Sequence, residues 1–236
     1  MYSRTVNGQV TEFGTSGFLY RSNKLMYDRA TNTLWRQFIG EPVVGPLAFS
    51  GIQLKLFPVT VTTWEQWLEE HPNTTVLDIQ TGIYTPDRYL PESDPSSIYH
   101  LYREDAGTMF PVPLESDLLA TKAEVFGLLL GGEARAYALD SLTETLVVND
   151  TLGGGDVVII TDPKAGAARA YESGGHTFSV GEGSMIVDEN GTSWVARDDA
   201  LVQDDDPSQE LPRLDARNAY WFGWSSNHPD TSVYED

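Results

Sequence analysis

Trp221-Phe222-Gly223-Trp224-Ser225-Ser226-Asn227-His228-Pro229-Asp230-Thr231, close to the C-terminus, reproduces the spacing of Trp64-Glu65-Gln66-Trp67-Leu68-Glu69-Glu70-His71-Pro72-Asn73-Thr74: two tryptophans three apart, then His-Pro and a threonine at the same offsets. The correspondence continues upstream. Leu25-Met26-Tyr27-Asp28 with Thr33-Leu34-Trp35 matches Ser184-Met185-Ile186-Val187-Asp188 with Thr192-Ser193-Trp194, and Thr11-Glu12-Phe13 matches His176-Thr177-Phe178. All six tryptophans fall into three matched pairs. Each tryptophan buries on the order of 200 Å², so large aromatics at equal offsets are what two equivalent cores require. The chain therefore reads as two diverged copies of one unit, with all three tryptophan pairs expected in cores.

Locally, each copy reads as hairpins followed by one short helix. In the second copy, 184–188 and 192–196 flank Glu189-Asn190-Gly191, whose Asn-Gly is expected to supply the positive φ angles of a tight turn. In the first, 24–28 and 33–39 flank a longer turn, and Asp28 and Asp188 are expected to bond turn backbone. Thr62 and Thr63, with Glu65 and Gln66 three residues on, predict a capped helix over 63–70 that Pro72 ends, and Asp215 starts its counterpart over 216–226. The second copy also has a front end, with hairpin strands at 125–130 and 133–138 around Gly131-Gly132, then strands at 146–150 and 156–160 around Gly153-Gly154-Gly155.

The expected fold is mainly β, a pseudo-symmetric unit of two hairpin-rich copies each with one short helix. The first copy spans 1–79, a linker rich in Tyr, Pro and Asp spans 80–121, and the second copy spans 122–236. The first copy has no counterpart of the front hairpins; with an offset near 160, that counterpart would lie roughly 40 residues before Met1.

Phe13-Gly14-Thr15-Ser16-Gly17, Met26-Tyr27-Asp28-Arg29, Thr33-Leu34-Trp35, Gly40-Glu41-Pro42-Val43-Val44-Gly45-Pro46-Leu47, the Trp64, Trp67 and His71-Pro72 set, Gly132-Glu133-Ala134-Arg135-Ala136-Tyr137 and Val148-Asn149-Asp150 together resemble the prokaryotic domain-of-unknown-function family 3179 over nearly the whole chain. The resemblance implies no established biochemical role. It does imply a strand bearing Cys-Pro-Leu-Cys ahead of Tyr2-Ser3-Arg4, a segment absent from this sequence, and the linker departs from the family pattern at Gly82-Ile83-Tyr84.

A formal charge of −20 arises from 19 Asp and 16 Glu against 11 Arg and four Lys. Nucleic acid would be repelled, and no stretch approaches the roughly 18 apolar residues of a membrane-spanning helix. Abundant Asp with scarce Lys describes a surface adapted to multimolar salt, hence a halophilic source. Cysteine is absent, so these residues hold no thiolate nucleophile or Cys-ligated metal.

His71 and His228 are the metal-ligand candidates, set against a structural role in which each imidazole ends a helix just before proline. Tyr84, Tyr89, Tyr99 and Tyr102 are candidate ligand-lining residues. Gly153-Gly154-Gly155 leads into a strand and so reads as a turn rather than a phosphate loop, and Ser173 with His176 lacks the accompaniments of a serine hydrolase. No cofactor is indicated. The leading reading is a binding or scaffold module without a catalytic centre in these residues, able to self-associate through an exposed first-copy edge near Val10 and Phe13. The alternative is part of a thiol, selenol or metal-dependent enzyme whose centre lies upstream of Met1. Because added cations screen repulsion among 35 acidic residues, the melting temperature is expected to rise between dilute and multimolar potassium chloride; a flat dependence in scanning calorimetry contradicts the salt-adapted reading.

Overall fold

Val157-Val158-Ile159-Ile160 is apolar without alternation, the mark of a strand covered on both faces. A computed structural model describes residues 1–80, 82–85, 88–91 and 93–235. It places this run in β10 (Gly155–Asp162), paired antiparallel with β9 (Val147–Leu152) on one side and β11 (Ala167–Glu172) on the other. Val157 and Ile159 face one core with Phe126, Leu128, Tyr137, Leu142 and Leu152. Val158 and Ile160 face a second, with Tyr171, Phe178, Ile186, Trp194 and Leu201.

A second two-faced strand adds a third core. β7 (Glu124–Leu130) and β8 (Glu133–Ala138) form a hairpin whose Gly131 and Gly132 take φ of 58° and 87°, the left-handed pair that a two-residue turn needs. β17 (Ala216–Tyr220) and β18 (Ser232–Val233) flank them in the order β17-β7-β8-β18. Phe126 and Leu128 of β7 join the first core, while Val125 joins Phe38, Ala136, Trp221 and Trp224 in the third. α4 (Trp221–Asn227) lays Trp224 flat over β7 at Gly127, where a Cβ would lie 2.4 Å from the indole ring. α3 (Leu139–Leu142) follows β8 and buries Leu142 in the first core.

The helix expected over 216–226 is therefore shorter. Residues 216–220 pair with β7 from Ala216 opposite Leu128 to Tyr220 opposite Glu124, because the backbone of a buried strand needs a partner on each side. In the linker, α2 (Ile98–Glu104) forms where no periodicity predicts it, capped by the Ser97 hydroxyl accepting from Tyr99 N–H.

The first 44 residues form the hairpin β1 (Thr5–Val6) and β2 (Gln9–Val10), then the sheet β3 (Phe13–Tyr20), β4 (Asn23–Asp28), β5 (Leu34–Arg36) and β6 (Glu41–Val44). α1 (Trp64–Glu70) starts at Thr63, whose hydroxyl accepts from Gln66 N–H. The last sheet runs β12 (Ser179–Val180), β13 (Ile186–Val187), β14 (Ser193–Ala196), β15 (Ala200–Gln203) and β16 (Glu210–Pro212). In the turn between β13 and β14 only Gly191 has positive φ, at 80°; Asn190 does not. The Asp188 carboxylate instead orders the turn by accepting from the N–H groups of Asn190 and Thr192.

Matched segments carry matched bonds. Trp35 Nε1 donates to Asp28 at 2.9 Å and Trp194 Nε1 to Asp188 at 3.2 Å, while Phe13 and Phe178 meet those indoles edge-on at 5.9 and 5.7 Å. Trp67 Nε1 donates to Thr74 at 2.9 Å and Trp224 Nε1 to Thr231 at 2.8 Å. Burial separates the last pair and corrects the expectation that all six tryptophans are core. Trp224 is fully covered by β7, whereas α1 buries no residue, Trp67 is half-buried and Trp64 is 51% exposed. Truncating Trp224 to Ala should cost about 3 to 5 kcal/mol and Trp67 to Ala about 1 kcal/mol, read by chemical unfolding at fixed high potassium chloride; equal losses overturn the distinction.

Candidate functional site

Each His-Pro turn closes one helical turn after a tryptophan, so the imidazole lies back on the indole. Ring centroids are 4.0 Å apart for Trp67 and His71 and 4.3 Å for Trp224 and His228, and both backbone N–H groups donate to the tryptophan carbonyl. From this shared geometry the two imidazoles reach different surroundings, and the structure does not bring them together.

His71 Nε2 lies 3.3 Å from Asp198 Oδ2 in a polar cluster that ties α1 to the C-terminal half. The Arg169 guanidinium donates through Nη2 to Glu70 and through Nε to Asp198, each at 3.1 Å. Arg213 donates to the Asp198 carbonyl at 3.4 Å and to Thr60 Oγ1 at 3.3 Å, and Thr60 Oγ1 in turn donates to Asp198 Oδ1 at 2.9 Å. Burial alone would push the Asp198 carboxyl up; bonds from Thr60 and Arg169 outweigh it and hold the group below its ordinary value. Glu70, His71 and Asp198 offer ligand atoms within 4.8 Å of one another. Yet Arg169, with 8% of its side chain exposed, already bridges both carboxylates, and a dication there would have to displace it. The chemistry of this cluster is charge balance, two guanidiniums against two carboxylates.

Of the tyrosines, Tyr99 and Tyr102 line a cavity of about 780 Å³ with Leu19, Val61, Phe110 and Tyr220, and Lys24 and Glu124 stand at its polar side. Tyr102 is held in place by Lys122, whose ammonium bonds the Tyr102 and Asp105 carbonyls and sits over the Tyr102 ring. Tyr84 and Tyr89 pair edge-on with each other at 6.4 Å and are not among the residues lining that cavity.

Asp28 and Asp188 act as turn and indole acceptors. Burial opposes the charge of each; for Asp28 the bonds from Trp35 and Thr31, and for Asp188 those from Thr192 and Trp194, outweigh it and keep the carboxyl below its ordinary value. Gly153 and Gly154 form the turn into β10. The Ser173 hydroxyl accepts from Gly175 N–H, and the His176 ring turns to Glu189 at 3.2 Å.

Two polar groupings escaped sequence reasoning. The Arg169, Asp198 and Arg213 cluster is joined to Thr60, Glu70 and His71 roughly 100 to 150 positions away, with no local signal. The other lies inside motifs quoted for the family resemblance: Arg135 and Tyr137, two apart on β8 and so on one face, both bond Asp150 of β9 at 2.6 Å. Burial and that bond push the Tyr137 phenol well above its ordinary value.

Asp198→Asn should cost about 2 to 3 kcal/mol, because it leaves two buried guanidiniums short of a counter-charge while the carboxylate itself is only partly desolvated. Unfolding of the variant at high salt reads this, and a loss no larger than that of an exposed Asp205→Asn control refutes it.

Searches of curated proteins and of solved structures gave no match to the chain. A family model did match, described as a protein of unknown function, DUF3179, and it aligns with residues 1–231. The pairing of Arg135 and Tyr137 with Asp150, the Trp-His turns and the indole-bound aspartates all lie within those residues, and the chain belongs to the DUF3179 family.

Proposed function

We propose that this protein is a binding module whose ligand cavity lies between α2, β3 and β17, and that its ligand is a small molecule with a planar aromatic part. One observation carries the reading. Leu19, Val61, Tyr99, Met109 and Phe110, separated by up to 91 positions in sequence, converge on the 780 Å³ cavity while remaining 40% to 67% exposed. Such convergence is what a ligand pocket has and what scattered surface side chains lack. The volume fits a small molecule, and Lys24, Glu124 and Asn218 supply orienting polar groups.

The duplication belongs to the same proposal. Two diverged copies, 1–79 and 122–236, are supported by the matched indole, carboxylate and threonine bonds, with 80–121 contributing α2 and most of the cavity's aromatic side. Self-association through the first-copy edge near Val10 and Phe13 belongs to the proposal too: Val10 is exposed, and Phe13 starts β3, the outer strand of its sheet. No helix among the described residues is long and apolar enough to cross a membrane, and the charge of −20 disfavours nucleic acid.

The test uses the fluorescent probe 1-anilinonaphthalene-8-sulfonate in multimolar potassium chloride. One probe per chain should bind saturably, and Tyr99→Ala combined with Phe110→Ala should weaken it about tenfold or more without lowering the melting temperature. Unchanged affinity in that variant places the binding elsewhere and removes the proposal.

A further inference from the structure

The match between 64–74 and 221–231 runs on for four more residues, Thr75-Val76-Leu77-Asp78 against Ser232-Val233-Tyr234-Glu235. The turn between helix and tail has the same backbone in both, with φ and ψ of −130° and 67° at His71 and of −128° and 75° at His228. In each, the N–H of the closing threonine donates to the histidine carbonyl at 3.0 Å. The two tails therefore leave their helices in the same direction, and the difference between them is what lies against them.

Against the C-terminal element lies a β-hairpin. β7 and β8 cover α4, leaving Trp221 0% and Trp224 1% exposed, and the tail adds to β8 as the parallel strand β18. Against α1 and its tail no such hairpin lies. Trp64 is 51%, Val76 66% and Leu77 86% exposed, and among the described residues 75–79 joins no strand and exchanges no backbone–backbone hydrogen bond. Apolar chain with free N–H and C=O groups is a template for pairing with another strand. The counterpart shows what kind of element fits there, a two-stranded hairpin.

Among the described residues one hairpin stands as a sheet by itself. β1 and β2 turn through Asn7 and Gly8, at φ of 49° and 77°, and pair with no third strand. Its base is anchored, because Ser3 N–H donates to the Lys55 carbonyl and Phe57 N–H to the Met1 carbonyl. Its outer residues are open: Arg4, Thr5, Gln9 and Val10 are exposed, Val10 at 66%. So anchored, the hairpin makes no backbone bond to 75–79 of its own molecule, which leaves that face to a second one. Charge fits as well. Residues 1–11 hold Arg4 and no carboxylate in a chain of net charge −20, whereas α1 and its tail expose Glu65, Glu69 and Asp78, which repel most other surfaces of this protein.

We infer that the β1–β2 hairpin of one molecule docks on the face that Trp64, Leu68, Val76 and Leu77 form in a second molecule of this chain, its open edge pairing with 75–79. The inference rests on the self-association proposed above and names the surface which the edge near Val10 meets. Each molecule has one such hairpin and one such face, so a two-fold axis closes the pair with two identical contacts. In multimolar salt, apolar burial and backbone bonds supply the affinity, and Arg4 against the carboxylates sets the orientation.

Analytical ultracentrifugation of the full chain at up to about 100 μM in multimolar potassium chloride provides the test. Expected is a reversible dimer that Leu77→Asp and Val10→Asp each weaken about tenfold or more. Both side chains are exposed, so neither change should lower the melting temperature. Phe49→Asp, at a residue 98% exposed and outside both surfaces, should leave the dimer as it is. Mixing the two weakened variants should restore part of the association, because the mixed pair keeps one intact hairpin on one intact face. A monomeric parent removes self-association itself and this contact with it. A dimer indifferent to Leu77→Asp, or no recovery on mixing, leaves self-association standing and overturns the contact inferred here.

Discussion

The structure depends on β10 being apolar on both faces. Along that one strand, alternate side chains enter different cores: Val157 and Ile159 lie against the β7–β8 hairpin, and Val158 and Ile160 lie against the sheet that carries Trp194. A register slip of one residue would exchange the two sets, placing each against a surface shaped for the other. β9 and β11 fix the register by pairing along nearly its whole length, from Gly155 to Asp162. The tight turn at Gly153-Gly154 is part of the same constraint, since a Cβ at Gly153 would lie 2.1 Å from the Leu130 carbonyl of the neighbouring hairpin.

β7 extends the arrangement outward. Its own alternation divides Phe126 and Leu128 from Val125, and Gly127 leaves the hollow into which Trp224 fits. Phe38 enters that third core from the N-terminal segment and meets both Trp224 and His228. The apolar attachment of the first segment to the rest is thus made at the Trp-His turn of α4. Another attachment, at the Trp-His turn of α1, is polar and runs through Glu70, His71 and Asp198. The same local motif serves once as a core plug and once as the end of an ion-pair network, and the difference lies in whether a strand with a glycine lies beneath the tryptophan.

What the sequence disclosed follows from range. Hairpins at Gly131-Gly132 and Gly153-Gly154 were legible because left-handed φ is a local demand that glycine meets. The indole bonds of Trp35 and Trp194 were foreshadowed by matched positions, although the carboxylate acceptors appeared there only as turn formers. α2 was hidden: its seven residues rely on a Ser97 cap and on Lys122 clamping its Tyr102 and Asp105 carbonyls, and neither shows as apolar periodicity. Trp67 was misjudged because identical spacing fixes the bond to Thr74 but says nothing about what covers the outer face of the helix. At the candidate sites, Tyr99 and Tyr102 stood out as aromatics in an irregular stretch, while Thr60, Glu70, Arg169, Asp198 and Arg213 are joined only by folding.

The chain's use of arginine connects its surface to its interior. With 11 Arg and four Lys, cations are scarce, and several of the arginines sit where a lysine could not substitute. Arg169 spans Glu70 and Asp198 with two nitrogens of one planar group, and Arg135 reaches Asp150 through Nη1 and Ser232 through Nε; an ammonium is a point charge without that reach. Salt weakens repulsion among exposed carboxylates and acts less on pairs whose guanidinium is buried. The exterior's balance therefore follows ionic strength more closely than the ion pairs of Arg169 and Arg135 do. α1 has a share in both. Its attachment is the buried Arg169 fork, but its remaining surface is exposed and acidic through Glu65 and Glu69, so it lacks the apolar burial that holds α4. Local opening free energy falls where few apolar contacts are buried, which makes α1 and its flanking coil easier to open than α4.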